Sequence, residues 1–157
     1  MIVLNTVTEA LQFVDNMDGR GMIATDESEQ VAYLRTLDLE DDYLIDIPQT
    51  TSEKLRVYAD WLEVNADGYH QGYCLNCTVG QAREFVKQTT GLQNGFYFNS
   101  TQFMKHFGLT SVESYAILVG RYTDLGIGLA DIDINNTDVS LPAEMLRRLA
   151  NKYEQLG

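Results

Sequence analysis

The chain has 157 residues, of which 45% are apolar, and its formal net charge at pH 7 is −12. This length is enough for one ordinary domain that buries about two thirds of its unfolded surface. The sequence contains two prolines and no long run of Ser, Gly or Pro that would serve as a linker. We therefore predict a single domain covering residues 1–157.

The first residues, MIVLNTVTEALQF, lack the basic start and the apolar run of an export signal. No later stretch approaches the roughly eighteen apolar residues that a membrane span needs. Two cysteines, Cys74 and Cys77, are too few for a disulfide framework and are typical of a reducing compartment. The sequence predicts a cytoplasmic protein that does not bind membranes.

In the first half of the chain, local caps and apolar spacing predict the elements. Thr6 with Glu9 forms a capping box before a helical apolar repeat that stops at Gly19. The stretch DYLIDI predicts a short strand, because the residue before Pro48 favours extended backbone. The other predictions are a short strand in GMIAT, a second helix that Asp26 and Glu29 cap and that reaches Leu37, and a third helix that Ser52 caps and that reaches about Val64.

The second half predicts more helices than strands. Its elements are a helix capped by Thr78 and ended by Gly91, a strand in GFYFN, a short helix opened by Asn99 or Ser100 and ended by Gly108, a helix from the Thr110–Glu113 capping box to Asp124, an extended GIGLADIDI, and a terminal helix from Ser140. The chain as a whole is therefore predicted to be an α+β fold, mostly helical, with about six or seven helices and a few short strands.

The negative charge is concentrated in the amino-terminal part. Up to Asp67 the chain has four basic and fifteen acidic residues, whereas from Gly68 onward it has seven basic and eight acidic residues. The first part therefore carries a net charge of −11 and the remainder −1. Such an asymmetry concerns partners and association rates more than it concerns the fold.

Two acidic clusters are predicted at the two ends of the second helix. A helix of about eleven residues separates its ends by about 16 Å, roughly two Debye lengths at physiological salt, so the fields of the two clusters overlap. Tyrosines among the carboxylates could supply aromatic anchors for a partner. The candidate binding residues are Asp26, Glu27, Glu29, Tyr33, Asp38, Glu40, Asp41, Asp42, Tyr43 and Asp46.

These clusters have two interpretations. They are either a solvated surface that keeps the chain soluble, or a surface that imitates the charge density of a nucleic acid. The leading hypothesis is a small acidic module that docks on the basic, nucleic-acid-binding surface of a partner protein and blocks it by mimicry, without contacting nucleic acid itself. In size and charge, though in no motif, such a module is similar to small phage or plasmid inhibitors. The sequence leaves the partner and the oligomeric state open.

The sequence offers little that indicates an enzyme. It contains no G-x-S-x-G, no P-loop and no G-x-G-x-x-G motif. Its carboxylates are so numerous that no acid/base pair stands out. A binding protein is therefore the preferred class, and no catalytic residue is assigned.

A second hypothesis centres on the cysteines. His70, Cys74 and Cys77 lie within eight residues, and His106 could complete a tetrahedral zinc site. Two ordinary reduced cysteines are the simpler interpretation, and thiol redox chemistry is a third, although both cysteines precede the helix predicted to start at Thr78. No cofactor is expected if the two cysteines are ordinary reduced cysteines. Zinc is expected if they form a metal site with the histidines.

A third hypothesis is a DNA-binding helix-turn-helix in STQFMKHFGLTSVESYAILVGRY, where Gly108 lies between two predicted helices. A recognition helix presents Arg, Lys, Asn or Gln to base edges, whereas this one offers Glu113, Ser114 and mostly apolar residues. Two packed helices joined by a tight turn are the simpler interpretation.

Overall fold

A computed structural model describes residues 2–18, 34, 43–48, 50–65, 75–90, 97–132 and 140–156. Within these ranges the chain is a mostly helical α+β fold, as predicted, with six α-helices, one short 3₁₀-helix and a two-stranded parallel sheet. None of the helices found there is both long and apolar enough to cross a membrane.

The elements follow one another in a simple order along the chain. They are β1 (Ile2–Leu4), α1 (Val7–Asp18), β2 (Tyr43–Ile45), α2 (Thr51–Asn65), α3 (Leu75–Thr90), α4 (Ser100–Phe107), α5 (Ser111–Val119), the 3₁₀-helix (Tyr122–Leu125) and α6 (Ser140–Leu156).

The chain divides into two compact units. Unit 1 comprises Met1–Pro48 with Glu84–Phe96, and unit 2 comprises Gln49–Arg83 with Tyr97–Gly157. Helix α3 contributes its first part to unit 2 and its second part to unit 1. A single domain for the whole chain stays a prediction, and we describe each unit by itself.

Unit 1 combines the parallel sheet with α1. Strands β1 and β2 pair in parallel with Val3 opposite Leu44. Thr6 caps α1 as predicted, since the Glu9 N–H donates to Thr6 Oγ1 at 3.1 Å, which is one of the two bonds of the predicted capping box. The apolar face of α1 then packs against the strands in a core of Leu4, Val7, Ala10, Val14, Leu34 and Ile47.

Unit 2 is built on the pairing of α2 with α6. Arg56 of α2 pairs with Glu154 of α6, whereas Asp60, further along α2, pairs with Arg147, earlier in α6, so the two helices run antiparallel. Beneath them lies an aromatic cluster in which the Phe107 ring is 5.2 Å from Tyr58 and 4.9 Å from Phe103. All three of these rings are fully buried. Aromatic pairs at such separations stabilise a core beyond the area they bury.

Two predicted caps are wrong. Thr50, not Ser52, caps α2: the Glu53 N–H donates to Thr50 Oγ1, and the Glu53 carboxylate accepts from the Thr50 hydroxyl, while Ser52 is buried. Thr78 does not start a helix, because α3 begins at Leu75. The Thr78 hydroxyl is used elsewhere and donates to Leu118 O at 2.8 Å.

Several other boundaries differ from the sequence predictions. Strand β1 was not expected, and the described part of GFYFN, residues 97–99, is irregular. Residues 126–132 are mostly irregular, with a turn at Ala130 and Asp131, where GIGLADIDI had predicted extended backbone. Helix α5 ends at Val119, not Asp124, because Gly120 adopts φ 74° and its N–H bonds back to Ala116 O. The predicted GMIAT strand and second helix fall mostly outside the described residues.

Candidate functional site

The acidic clusters of the leading hypothesis lie largely outside the described ranges. This applies to Asp26, Glu27, Glu29, Tyr33, Asp38, Glu40, Asp41 and Asp42, which stay predictions. Tyr43 and Asp46 are described: Tyr43 begins β2, and Asp46 follows that strand with its side chain exposed. The Asp46 N–H donates to Leu4 O at 2.9 Å, which continues the sheet pairing by one residue.

Apolar side chains are exposed on the same strands. Val3 and Leu44 lie opposite each other in the register of the parallel pair, and both are exposed, as is Ile2. Asp46 therefore comes two residues after an exposed leucine. This end of the predicted acidic surface combines an anionic side chain with apolar ones, the composition that binding surfaces use for attraction and affinity together.

A second group of exposed acidic residues, missed in the sequence, lies on α2, on α6 and in the turn at Asp131. We call it the α2/α6 acidic face, and it consists of Asp60, Glu63, Asp131, Glu144 and Glu154 with Arg56, Arg147 and Arg148. Its core is the Arg147 guanidinium, which donates to Asp60 Oδ1 at 2.8 Å and to the Glu63 carboxylate. One arginine is thereby shared between two carboxylates, so this group keeps a net negative charge.

The other two arginines of the face also donate hydrogen bonds to carboxylates. Arg56 donates to both oxygens of Glu154 and to Asn151 Oδ1. Arg148 donates to both oxygens of Asp131 and, within α6, to Glu144. Bidentate arginine–carboxylate bonds of this kind are directional and fix both side chains.

In all three groups the carboxylates lie further out than the arginines. The Asp60 side chain is 74% exposed against 34% for Arg147, and Asp131 is 74% exposed against 23% for Arg148. Each arginine lies over the helices on its apolar stem while the carboxylates face solvent. The outermost charges of the face are therefore negative, although three cations are embedded in it.

These hydrogen bonds shift the pKa values of several side chains of the face. Hydrogen bonds from Arg148 hold the pKa of Asp131 below its usual value, and those from Arg56 do the same for the pKa of Glu154. Hydrogen bonding to Asp60 and Glu63 raises the pKa of Arg147. These pKa shifts favour the charged forms of Asp131, Glu154 and Arg147.

A sequence signal for part of this face was available. Glu53, Arg56, Asp60 and Glu63 follow one another at spacings of three, four and three, which places them on one side of a helix. The acidic residues of α2 are thus one stripe, and Glu53, Asp60 and Glu63 are all exposed. Arg147 of α6, the arginine that Asp60 and Glu63 share, lies more than eighty residues away and had no such signal.

A contrasting carboxylate is buried at the start of α5. Glu113 closes a capping box with Thr110, accepts from the Tyr153 hydroxyl, and lies 3.8 Å from Lys152 Nζ. Burial alone would raise the pKa of Glu113, but the hydrogen bonds from Tyr153 and Thr110 and the charge of Lys152 outweigh it and lower the pKa. Burial and the bond to Glu113 raise the pKa of Tyr153 to about 12. This network ties α5 to α6 and is structural.

The residues of the zinc hypothesis are only partly described. His70 and Cys74 lie outside the described ranges. His106 is half-buried on α4, with its ring edge-on to Phe107 at 4.6 Å. Within the described ranges no three His, Cys, Asp or Glu side chains are grouped so as to hold a metal ion.

Cys77 departs from the prediction of reduced cysteines, because it is disulfide-bonded. It also lies in the first turn of α3, since that helix begins at Leu75 and not after Thr78. The positive end of a helix stabilises a thiolate there. The only other cysteine in the sequence is Cys74.

The helix-turn-helix segment has the geometry of two helices joined by a tight turn. Asn99 caps α4 by accepting from the Gln102 N–H, and Gly108 ends it at φ 70°. The exposed residues of α5 are Ser111, Val112 and Tyr115. None of these is an Arg, Lys, Asn or Gln, the side chains that read base edges.

The chain matches no protein-family model, and neither the curated proteins nor the solved structures contain one that it significantly resembles.

Proposed function

We propose that the protein is a small acidic binding module that docks on a basic, nucleic-acid-binding surface of a partner protein and occupies it by mimicry of nucleic acid. Most of the net charge lies before Gly68, where the sequence carries −11. The proposal makes this part of the chain the contact region, with Asp38, Glu40, Asp41 and Asp42 at its centre.

The observation that supports the proposal best is the α2/α6 acidic face. On this face Arg147 and Arg148 each bond to two carboxylates and are less exposed than those carboxylates. The exterior therefore stays anionic although cations are present. Carboxylates held at fixed positions by bidentate bonds can match a row of phosphates, because their spacing is set before the partner arrives. Mobile carboxylates on a merely solvated surface would have to be ordered on binding, at a cost in conformational entropy.

The test is capture of lysate proteins on the immobilised chain, with elution by a salt gradient and then by duplex DNA. We expect a basic protein that DNA displaces and whose affinity falls on the order of 10³-fold between about 50 and 200 mM salt, as for contacts with phosphates. Capture that is indifferent to salt, or that DNA does not reverse, would contradict the proposal.

A matched pair of variants locates the contact. Asp41→Lys with Asp42→Lys should abolish binding, because both changes lie in the proposed centre. Glu84→Lys with Asp124→Lys alters the net charge by the same amount at two exposed positions after Gly68 and should weaken binding only modestly. Equal effects of the two pairs would mean that total charge, and not a docking surface, governs the interaction.

A thiol–disulfide role around Cys74 and Cys77 is a second candidate, favoured by the bonded state of Cys77 in the first turn of α3. Reduction by an external dithiol would add two electrons and two protons, oxidising that dithiol to its disulfide. Alkylation of the purified chain with and without dithiol, read by mass spectrometry, should show two thiols only after reduction. Stoichiometric zinc that is lost in Cys77→Ser would instead establish the metal module.

A further inference from the structure

Helix α5 is apolar on both sides. Its inner side buries Ala116, Ile117 and Leu118. On its outer side, Val112 is 61% exposed and Tyr115 is 47% exposed. A helix that is apolar all round is normally covered all round, so the outer side of α5 is the unusual one.

The outer residues form one continuous stripe. Val112, Tyr115 and the partly exposed Val119 are spaced by three and four residues, which places them on one side of the helix. The Arg121 guanidinium lies over the Tyr115 ring, 5.7 Å from its centroid, a cation–π contact that orders both side chains. We call Val112, Tyr115, Val119 and Arg121 the α5 stripe. Ordered aromatic and arginine side chains are the residues that dominate binding energy at interfaces.

Along the chain, the surroundings of the α5 stripe carry one exposed carboxylate, that of Asp124 in the 3₁₀-helix that follows Arg121. Between Tyr97 and Arg121 the one acidic residue is Glu113, which is buried and bound to Tyr153 and Thr110. The basic residues Lys105 and Arg121 are exposed in the same segment. In a chain of net charge −12, this segment is therefore locally neutral to positive.

This charge distribution favours a second copy of the chain as the occupant. Two molecules that each carry −12 repel each other, and the repulsion is smallest where both approach with surfaces that carry few carboxylates. A two-fold axis places the same patch of both molecules in contact, so the α5 stripe would meet itself. Nucleic acid is disfavoured, because the outer side of α5 carries no side chain that reads bases and the whole chain repels phosphates.

We propose that the α5 stripe is a self-association surface through which two copies of the chain pair. The proposal is independent of the acidic docking function, which uses other residues. One nine-residue helix offers less than the standard area of a stable interface, so we expect a dissociation constant on the order of 100 μM. Salt should strengthen the pairing, because screening reduces the repulsion between two anionic molecules. Binding to a basic partner would respond to salt in the opposite sense.

Sedimentation velocity of the full chain at about 20 and 500 μM, in about 50 mM and 1 M NaCl, tests the proposal. The mass should rise from the 17.7 kDa of one chain toward twice that value at high concentration, and more so at high salt. A chain that stays monomeric throughout, or that associates less as salt rises, would overturn it.

The decisive variant is Val112→Asp, with Val64→Asp as its control. Position 112 lies in the first turn of α5, where an aspartate is favourable for the helix, and it is exposed, so the fold should be retained. Val64 is 83% exposed on α2 and gives the same change of charge outside the α5 stripe. Val112→Asp should weaken pairing at least about tenfold by placing a carboxylate at the centre of the contact, and Val64→Asp should pair like the original chain. Equal weakening in both variants would refute the assignment of the surface.

Discussion

Two exposed faces of unit 2 are built in opposite ways. On the α2/α6 acidic face, carboxylates lie outside and arginines are held beneath them. On α5 the single carboxylate, Glu113, is turned inward and the outer side is apolar. The same chemical group is therefore available to a partner in one place and committed to the fold in the other. What decides its role is its position relative to the core, not its abundance in the sequence.

The largest difference between the two faces should appear when a carboxylate is removed from each. Glu113→Ala leaves the Tyr153 hydroxyl and the Thr110 N–H without their acceptor and removes half of a capping box. We expect a loss of about 3 kcal/mol in the free energy of unfolding. Glu63→Ala removes an exposed partner of Arg147 and should cost about 0.5 kcal/mol or less. Urea denaturation of both variants makes the comparison, and similar losses would contradict it.

The entry into α5 should be the next most sensitive point. Gly108 has φ 70°, and a Cβ there would lie 2.6 Å from Thr51 Oγ1. Gly108→Ala should therefore destabilise the chain by about 1–3 kcal/mol. Gly80 lies inside α3 with nothing within 4 Å of an added Cβ, so Gly80→Ala should stabilise it by about 0.5–1 kcal/mol. The midpoint of thermal unfolding should fall for Gly108→Ala and rise for Gly80→Ala.

Acid should affect the buried carboxylate in a defined direction. The pKa of Glu113 in the folded chain is below its ordinary value of 4.5, so its stabilising contribution is complete above about pH 5. That contribution is lost as the pH falls through the lower pKa of the folded state. Glu113→Gln should thus be less stable than the original chain at pH 7, and the difference should shrink as the pH falls below 4.5 and through the lower pKa of the folded state.

The decrease in this difference is measured by urea denaturation across that pH range, with Asp124→Asn as a control at an exposed position. A difference between Glu113→Gln and the original chain that stays constant with pH would show that the charge of Glu113 contributes nothing.

The smallest expected effect is the loss of stability when an arginine of the α2/α6 acidic face is replaced, and this loss should depend on salt. Arg147→Met keeps the apolar stem and removes the bonds to Asp60 and Glu63. At low salt it should cost less than about 1 kcal/mol, and in about 1 M NaCl the cost should fall further, since exposed ion pairs are screened. A cost that is unchanged by salt would mean that Arg147 acts by packing alone.

Local signals in the sequence predicted local structure well. The cap at Thr6, the capping box at Thr110 and the helix end at Gly108 were identified correctly, because all their partners lie within a few residues. Strand β1 was missed because three apolar residues become a strand only by pairing with Tyr43–Ile45, about forty residues away. The cap at Thr78 was wrong because a distant carbonyl, that of Leu118, takes its hydroxyl.

The site was harder to predict for the same reason. The acidic stripe of α2 is visible in the spacing of Glu53, Asp60 and Glu63. Arg147, which bonds to Asp60 and Glu63, lies on a helix far away in the chain. In α5 the sequence shows apolar residues on every side, and only packing decides that Ile117 is inside and Tyr115 outside. Composition thus predicts that charge is present, while contacts between distant segments decide which charges a partner meets.

The bond from Thr78 to Leu118 O bears on how the protein can be dissected. That carbonyl is among the last four of α5, which the helix itself leaves without N–H donors. Its donor comes from a segment forty residues upstream. A fragment beginning at Tyr97 would lose this donor together with α2, the helix that pairs with α6, so truncation there should unfold unit 2 instead of releasing a stable piece.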